Sequence, residues 1–328
     1  LAMRGQFNGN VLVAEEGQVL FKRAVGIRSP TPGDMLGLDS QFNLASASKP
    51  FTALAVMQLK EAGLLSYDDL VEKHLPEWPY RGATIRNLLN HTSGIPSHRS
   101  LLDLYWRPEL RHDDPERLVG GYPALVDLYD RHRPKPLFSP GEAYAYSDIN
   151  YVLLASIVAR VSGVPFHEYL RDHIFQPAGM QNTHAFSPLR GDSLANRARG
   201  MRAKWDGSGF RTIDFRYVDS LEGASGIYST IPDLFRWDQA LYTDLLVPRA
   251  ALSEAFNPGT LTTGEATTYG FGWSLYLDGC VSHDGYAEGY GVWINRDLSA
   301  QSTIIILSNQ GNYLWAGMIQ GIRKILNG

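Results

Sequence analysis

Ser46 and Lys49 have the spacing of two residues that could share a nucleophilic reaction. They form an S-x-x-K sequence, and residues three apart lie on the same face of a helix. Pro50 follows, and because proline is tolerated in a first helical turn, the helix is predicted to begin at or near Ser46. The helix N-terminus behind Ser46 would stabilise a developing oxyanion. Ser46 is therefore a candidate nucleophile; the alternative is that Ser46 or Ser48 only caps the helix and Lys49 is solvated.

Two further groups could take part in the same chemistry. In Tyr146-Ser147-Asp148, the tyrosine hydroxyl could shuttle protons if nearby cations lower its pKa from about 10. Asp148 could also cap a helix that begins at the next residue, and the two roles can coexist. His283-Asp284-Gly285 lies on or ends a strand-like run, where a glycine would let a substrate approach the strand edge. Taken alone, His283 is more simply interpreted as structural.

The elements that must position these groups differ between the ends and the middle of the chain. Apolar residues at helical spacing predict helices in the middle and a last helix from Asn312 to Leu326, and β-rich runs predict strands at both ends. The predicted helices are Phe51–Ala62, Ile149–Val161, Val164–Phe175 and Thr230–Tyr242, with loops and short helices over Leu101–Pro140, and the predicted strands are Asn10–Ala14, Val19–Val25, Phe271–Leu277, Gly291–Asn295 and Ser302–Ser308.

This order of elements predicts an α+β fold. Because connected strands usually lie near one another, the N- and C-terminal strands should form one antiparallel β-sheet, flanked by helices. The sheet region would comprise residues 1–50 plus 265–328, and residues 51–264 would be a large, mainly helical inserted region. Ligand pockets favour the boundary between such regions, so the active site is expected in the cleft between them.

The three groups together resemble the motifs of the serine β-lactamase and penicillin-binding-protein superfamily. The resemblance is strongest to its class C β-lactamase-like branch, which also holds esterases and D-amino-acid peptidases. The order and spacing of the motifs match, and the resemblance covers nearly the whole chain. Other stretches similar to that branch are Leu88–Ile95, Phe138–Gly141, Pro177–Thr183 and Gly223–Thr230.

The resemblance implies a β-lactamase/transpeptidase-like fold and an acyl-enzyme on Ser46. Lys49 and Tyr146 would share the general-base and general-acid work, and the family pattern leaves open which of them takes the serine proton. The backbone N–H groups of Ser46 and Tyr286 would form the oxyanion hole, where losing one donor typically costs about 3–4 kcal/mol. His91 and Ser93 would be structural support.

Two positions depart from the family pattern. Asp148 stands where the branch usually has asparagine, and an ionised carboxylate only accepts hydrogen bonds. It would also favour the ammonium form of Lys49, which shifts the role of base towards Tyr146. His283 and Asp284 replace a lysine and a threonine, so with His283 neutral the motif residues carry a formal charge of -1 where the family has +2. Anionic β-lactams and D-Ala-D-Ala termini should be disfavoured, and neutral or amine-bearing substrates favoured.

We therefore expect a serine hydrolase that acts on neutral esters or amides through an acyl-enzyme, with a small molecule or peptide as substrate. The alternatives are a D-stereospecific peptidase or aminopeptidase, a β-lactamase-type enzyme, and an acylation-competent sensor without turnover. Four aromatic residues could line an apolar acyl pocket: Tyr105, Trp106, Tyr286 and Tyr290.

Composition argues against several other classes. The 328 residues include 30 Lys+Arg and 34 Asp+Glu without a dense basic run, which disfavours nucleic-acid binding. The single cysteine, Cys280, and scattered histidines predict no disulfide, no metal site and no cofactor. The longest apolar stretch, Tyr151–Ala159, is too short to span a membrane. The chain begins at leucine, and the resemblance favours a periplasmic or secreted protein whose signal peptide has been removed.

Overall fold

A six-stranded antiparallel sheet joins the two ends of the chain in the computed structural model, which describes residues 7–107, 109–110, 117–206, 208–213, 220–311, 318–319 and 321–322. The strands are β1 (Gly9–Glu15), β2 (Gln18–Val25), β3 (Phe42–Asn43), β4 (His184–Ala185), β5 (Met201–Ala203), β6 (Phe210–Thr212), β7 (Ile227–Ser229), β8 (Ser274–Leu275), β9 (Cys280–Ala287), β10 (Tyr290–Asp297) and β11 (Ser302–Ser308). The sheet order is β2-β1-β11-β10-β9-β8. The predicted sheet of N- and C-terminal segments is thus confirmed.

The register of β1 explains how the ends meet. Glu16 and Gly17 both have left-handed φ angles, 48° and 76°, which suits a two-residue turn whose twist matches the flanking strands. On its other side β1 pairs with β11, from Gly9 opposite Ser308 to Glu15 opposite Ser302. β1 is therefore an interior strand of the sheet.

Helices occupy the middle of the chain. They are α1 (Lys49–Glu61), α2 (Val71–His74), α3 (Ile85–Leu89), α4 (His98–Tyr105), α5 (Gly121–His132), α6 (Asp148–Ser162), α7 (Phe166–Leu170), α8 (Ile231–Ala240) and α9 (Arg249–Ala255). The predicted helices correspond to α1, α6, α8 and α7, which continues as a wider turn over Arg171–Phe175. In the region predicted as loops with short helices, α5 is a regular helix of 12 residues. The predicted helix from Asn312 to Leu326 falls largely outside the described residues.

The core lies between the sheet and these helices. In α1 every residue from Lys49 to Met57 is buried, and Phe51 stacks on Trp237 of α8 with ring centres 4.1 Å apart. Burial on all sides fixes the position of α1, and with it the turn that precedes it.

Within the described residues, no single helix is long and apolar enough to cross a membrane. The bent pair of α6 and Phe166–Phe175 has the length and composition of a span, with an 81° bend between its two parts. The division into residues 1–50 plus 265–328 and 51–264 stays a prediction.

Candidate active site

Ser46 lies in a tight turn, Ala45–Ser48, that leads directly into α1. Ala45 has a left-handed φ of 47°, a conformation that costs a non-glycine residue about 1–3 kcal/mol and recurs at functional sites. Hydrogen bonds hold the turn on both sides: the Ala45 N–H donates to Asn43 Oδ1 (2.8 Å), and the Leu44 N–H donates to the Ile227 carbonyl (2.8 Å). Ser46 itself is half-buried and lines a cleft, so a substrate can reach it.

Strand β9 runs close beside this turn. A Cβ added at Gly285 would lie 2.1 Å from the Leu44 carbonyl oxygen and 3.3 Å from Ala45 Cβ. From the sequence we expected that this glycine would let a substrate approach the strand. In the structure the absence of a side chain lets the backbone of the turn approach instead. Gly285 therefore sets the separation between Ser46 and the next strand residue, Tyr286.

The Lys49 side chain is completely buried beneath Ser46. Its Nζ donates to Asp148 Oδ1 (2.7 Å) and to the Ala224 carbonyl (3.0 Å), and lies 4.9 Å from the centre of the Tyr146 ring. Burial lowers the pKa of Lys49 below its ordinary value, and the Asp148 carboxylate opposes that shift. The environment thus moves Lys49 towards its neutral form while Asp148 favours the ammonium.

Asp148 lies between two cations. Its Oδ1 accepts from Lys49, and its Oδ2 accepts from Arg99 Nε (3.1 Å) and Nη2 (2.8 Å) on α4. Burial alone would raise the pKa of the Asp148 carboxyl, but Lys49 and Arg99 hold it far below its ordinary range. Asp148 is therefore ionised throughout the neutral range. Sequence reasoning did not identify Arg99.

Tyr146 lines the same cleft as Ser46. Although 41% of the Tyr146 surface is exposed, burial around the hydroxyl raises its pKa well above 10, the Asp148 charge adds to that rise, and the Ser46 side chain opposes it. The ring packs on His91, centre to centre 4.3 Å. His91 Nδ1 lies 3.3 Å from the Ser147 N–H, which donates to it. His91 thus fixes the tyrosine triplet, in line with its expected supporting role.

His283 is buried and neutral. Its Nδ1 lies 2.6 Å from the Asp284 carbonyl, and because a carbonyl only accepts, Nδ1 carries the proton. Nε2 then accepts from the Tyr269 hydroxyl at 2.8 Å. Burial lowers the pKa of His283 to about 3, and the charge of Lys49 adds to the shift. The third motif thus supplies no cation at neutral pH.

A cleft of about 480 Å³ between β9 and the helices exposes Ser46, Tyr146 and Asp148. Asp284 is exposed at its edge. With Arg99 included, two cations face two anions, Asp148 and Asp284, so the formal charge is zero where the sequence predicted -1. The lining residues are Ser46, Ser97, Arg99, Tyr146, Asp148, Ser274, His283, Asp284 and Tyr286. Within the described residues no group of three or more His, Cys, Asp or Glu could hold a metal ion.

The predicted apolar pocket of four aromatic residues is wrong. Tyr290 is buried, packs against Tyr228 and donates to the Ala198 carbonyl, away from the cleft. Tyr105 stacks on His132, and Trp106 packs against the core. Of the four, Tyr286 lines the cleft.

An antiparallel sheet built from both chain ends, with a serine, a lysine and a tyrosine meeting between β9 and α1, defines the serine hydrolases of β-lactamase fold. The chain belongs to the family described as Beta-lactamase, whose model matches residues 3–322.

Relatives of known sequence include penicillin-binding protein 4* of Bacillus subtilis, 36% identical over 322 residues, which cover 94% of this chain and 70% of the relative. A D-aminopeptidase of Brucella anthropi is 27% identical over 292 residues, covering 86% of this chain and 52% of the relative, so the chain spans about half of that protein.

Solved structures show the same fold. The penicillin-binding protein from Bacillus halodurans has a TM-score of 0.81 at 23% identity, covering 98% of each chain. The D-amino acid amidase from Ochrobactrum anthropi SV3 has a TM-score of 0.81 at 20% identity, covering 99% of this chain and 95% of the amidase chain.

Proposed function

We propose that this protein is a serine acyl hydrolase that forms an acyl-enzyme on Ser46 and acts on neutral esters or amides. The observation that carries the proposal is that Ser46 and Tyr146 line one cleft, beneath which Lys49 is completely buried. Burial disfavours the charged form of a lysine, and this makes a buried lysine a candidate proton acceptor.

The hydrogen bonds of Lys49 support a proton relay. A neutral amine has two N–H donors and one lone pair; Asp148 and the Ala224 carbonyl take the two donors, which leaves the lone pair to accept. As Ser46 Oγ attacks the substrate carbonyl carbon, its proton passes to the Tyr146 oxygen while the Tyr146 proton passes to Lys49 Nζ. The tetrahedral oxyanion is held by the backbone N–H groups of Ser46 and Tyr286. Collapse breaks the bond to the leaving group, which takes a proton from the relay, and water then releases the acyl group by the same route.

The charged groups of the cleft support the substrate class. Neutral, buried His283 offers no positive charge for a substrate carboxylate, and the Arg99 guanidinium is already paired with Asp148. A second candidate, a D-stereospecific aminopeptidase, is favoured by the D-aminopeptidase relative and by exposed Asp284, whose carboxylate would suit a substrate ammonium.

The test is an intact-mass time course with excess p-nitrophenyl butyrate, following nitrophenol in the same tube. We expect continued release with a transient butyryl adduct, and Ser46→Ala should lose both, by about 10³-fold or more. Ser253→Ala, an exposed serine on α9, is the matched control and should behave as wild type.

Other outcomes separate the alternatives. A stable one-to-one adduct with a single burst of nitrophenol would identify an acylation sensor. Turnover of D-alanine amide, with none of the L-form or of the ester, would identify the aminopeptidase. Equal ester turnover in Ser46→Ala would contradict the nucleophile assignment.

A further inference from the structure

Arg99 on α4 is linked to Lys49 through the carboxylate of Asp148. Nε and Nη2 both donate to Oδ2, while Lys49 holds Oδ1. The exposed fractions of the three side chains are 0% for Lys49, 11% for Asp148 and 48% for Arg99. Side-chain exposure therefore rises from Lys49 in the interior to Arg99 in the cleft, with the Asp148 carboxylate between them.

The formal charges of Asp148 and Arg99 cancel each other. The resemblance places a neutral asparagine where this chain has Asp148, so the substitution adds one negative charge next to Lys49. A guanidinium is charged at every accessible pH, so Arg99 adds one positive charge on the opposite oxygen. Asp148 and Arg99 together therefore have the formal charge of an asparagine.

We propose that Arg99 is a positioning residue whose charge cancels that of Asp148, so that Lys49 keeps access to its neutral, proton-accepting form. The kinetic side of this inference rests on the proposed acyl transfer; its spectroscopic side does not.

Several charged or titratable groups surround Lys49. Asp148 of α6 and Asp284 of β9 favour its ammonium form, and Arg99 of α4 opposes it. His91, His98 and His283 are buried, and burial lowers the pKa of each, so they are neutral near pH 7. Removing Arg99 should therefore make Lys49 harder to deprotonate, whereas removing Asp148 should make it easier. A merely structural role for Arg99 would not produce these opposite signs.

The experiment measures Lys49 directly by NMR titration of protein labelled with [13Cε]-lysine. Ser46→Ala is the background, so acylation cannot interfere, and Lys49→Arg assigns the signal. Adding Arg99→Gln should raise the Lys49 midpoint by about one pH unit, and Asp148→Asn should lower it by about 1–3 units. The double variant should fall between the two single variants, and Arg99→Lys, which keeps the charge, should stay near the background value.

An unchanged or lowered midpoint in Arg99→Gln would overturn the inference, as would the same rise in Arg99→Lys. If Arg99→Gln does not fold by circular dichroism, Arg99→Met, which keeps the aliphatic stem, repeats the test.

The kinetic counterpart uses otherwise wild-type protein. The acid limb of kcat/KM for the ester should move upward in Arg99→Gln by the same amount as the Lys49 midpoint. A lower kcat with the limb unmoved would make Arg99 structural and refute the inference. If no variant turns over ester, the proposed function fails, and the lysine titration still decides the role of Arg99.

Discussion

Replacing Gly285 by alanine tests whether β9 is fixed against the Ser46 turn. The new Cβ would start 2.1 Å from the Leu44 carbonyl oxygen, whereas carbon–oxygen contacts normally begin at about 3.3 Å. β9 and the turn would have to separate by about 1 Å. Because the clashing atom of Leu44 is its backbone carbonyl oxygen, no change of side-chain rotamer relieves the clash.

The displacement should act mainly on the transition state. Tyr286 follows directly, and its N–H is the proposed second oxyanion donor. A misplacement of about 1 Å typically costs about 10²-fold in rate, and loss of one donor costs about 10²–10³-fold. We expect kcat for p-nitrophenyl butyrate to fall by about 10²–10³-fold with a smaller change in KM. Overpacking should also lower the free energy of unfolding by about 1–3 kcal/mol.

The assay combines steady-state nitrophenol release with urea unfolding. Gly120→Ala is the matched control, because its φ of -70° suits alanine and its Cβ would meet Ala124 Cβ at an ordinary 3.5 Å. A Gly285→Ala protein with wild-type kcat would refute the placement of the oxyanion hole, even if its stability fell.

Three further predictions concern Tyr146, His283 and His98. Tyr146→Phe should slow acylation of Ser46 by about 10²–10⁴-fold, measured as the rate at which the butyryl adduct appears; an unchanged rate would remove Tyr146 from the relay. His283→Gln should leave any midpoint between pH 5 and 8 in the kcat/KM profile in place, because burial holds the pKa of His283 at about 3; loss of such a midpoint would contradict this. Burial lowers the pKa of His98 to about 4, so the unfolded state binds more protons below about pH 6.5 and stability should fall as the pH drops from 6.5 to 4. The slope of Tm against pH in that window should be shallower in His98→Gln, and an equal slope would show that His98 is not held neutral.

Much of the fold and part of the site could be predicted from local sequence. The S-x-x-K spacing followed by Pro50 placed the start of α1 close to Ser46, because helix geometry and proline sterics act over a few residues. β-rich runs at both ends predicted the strands that pair as β1 and β11. These signals are local, so a single sequence carries them.

The interactions that the sequence did not reveal are long-range. Arg99 meets Asp148 across 49 residues, and Tyr269 meets His283 only after β9 is in place. Nothing in the residues around Arg99 distinguishes it from a solvated surface arginine. The aromatic pocket failed for the same reason, since which face of β10 carries Tyr290 depends on strand register.

The interior position of β1 has a consequence for biosynthesis. β1 and its partner β11 are separated by about 290 residues, as in the pair Val13 and Ile304, so at about 5–20 residues per second the ribosome needs roughly 15–60 s to deliver the missing strand. During that interval the first hairpin presents an unpaired edge with Val11 and Val13, a site where chaperones or other nascent chains can pair. Messages cut short before β11 should therefore yield insoluble polypeptide, even when they encode every residue of the cleft.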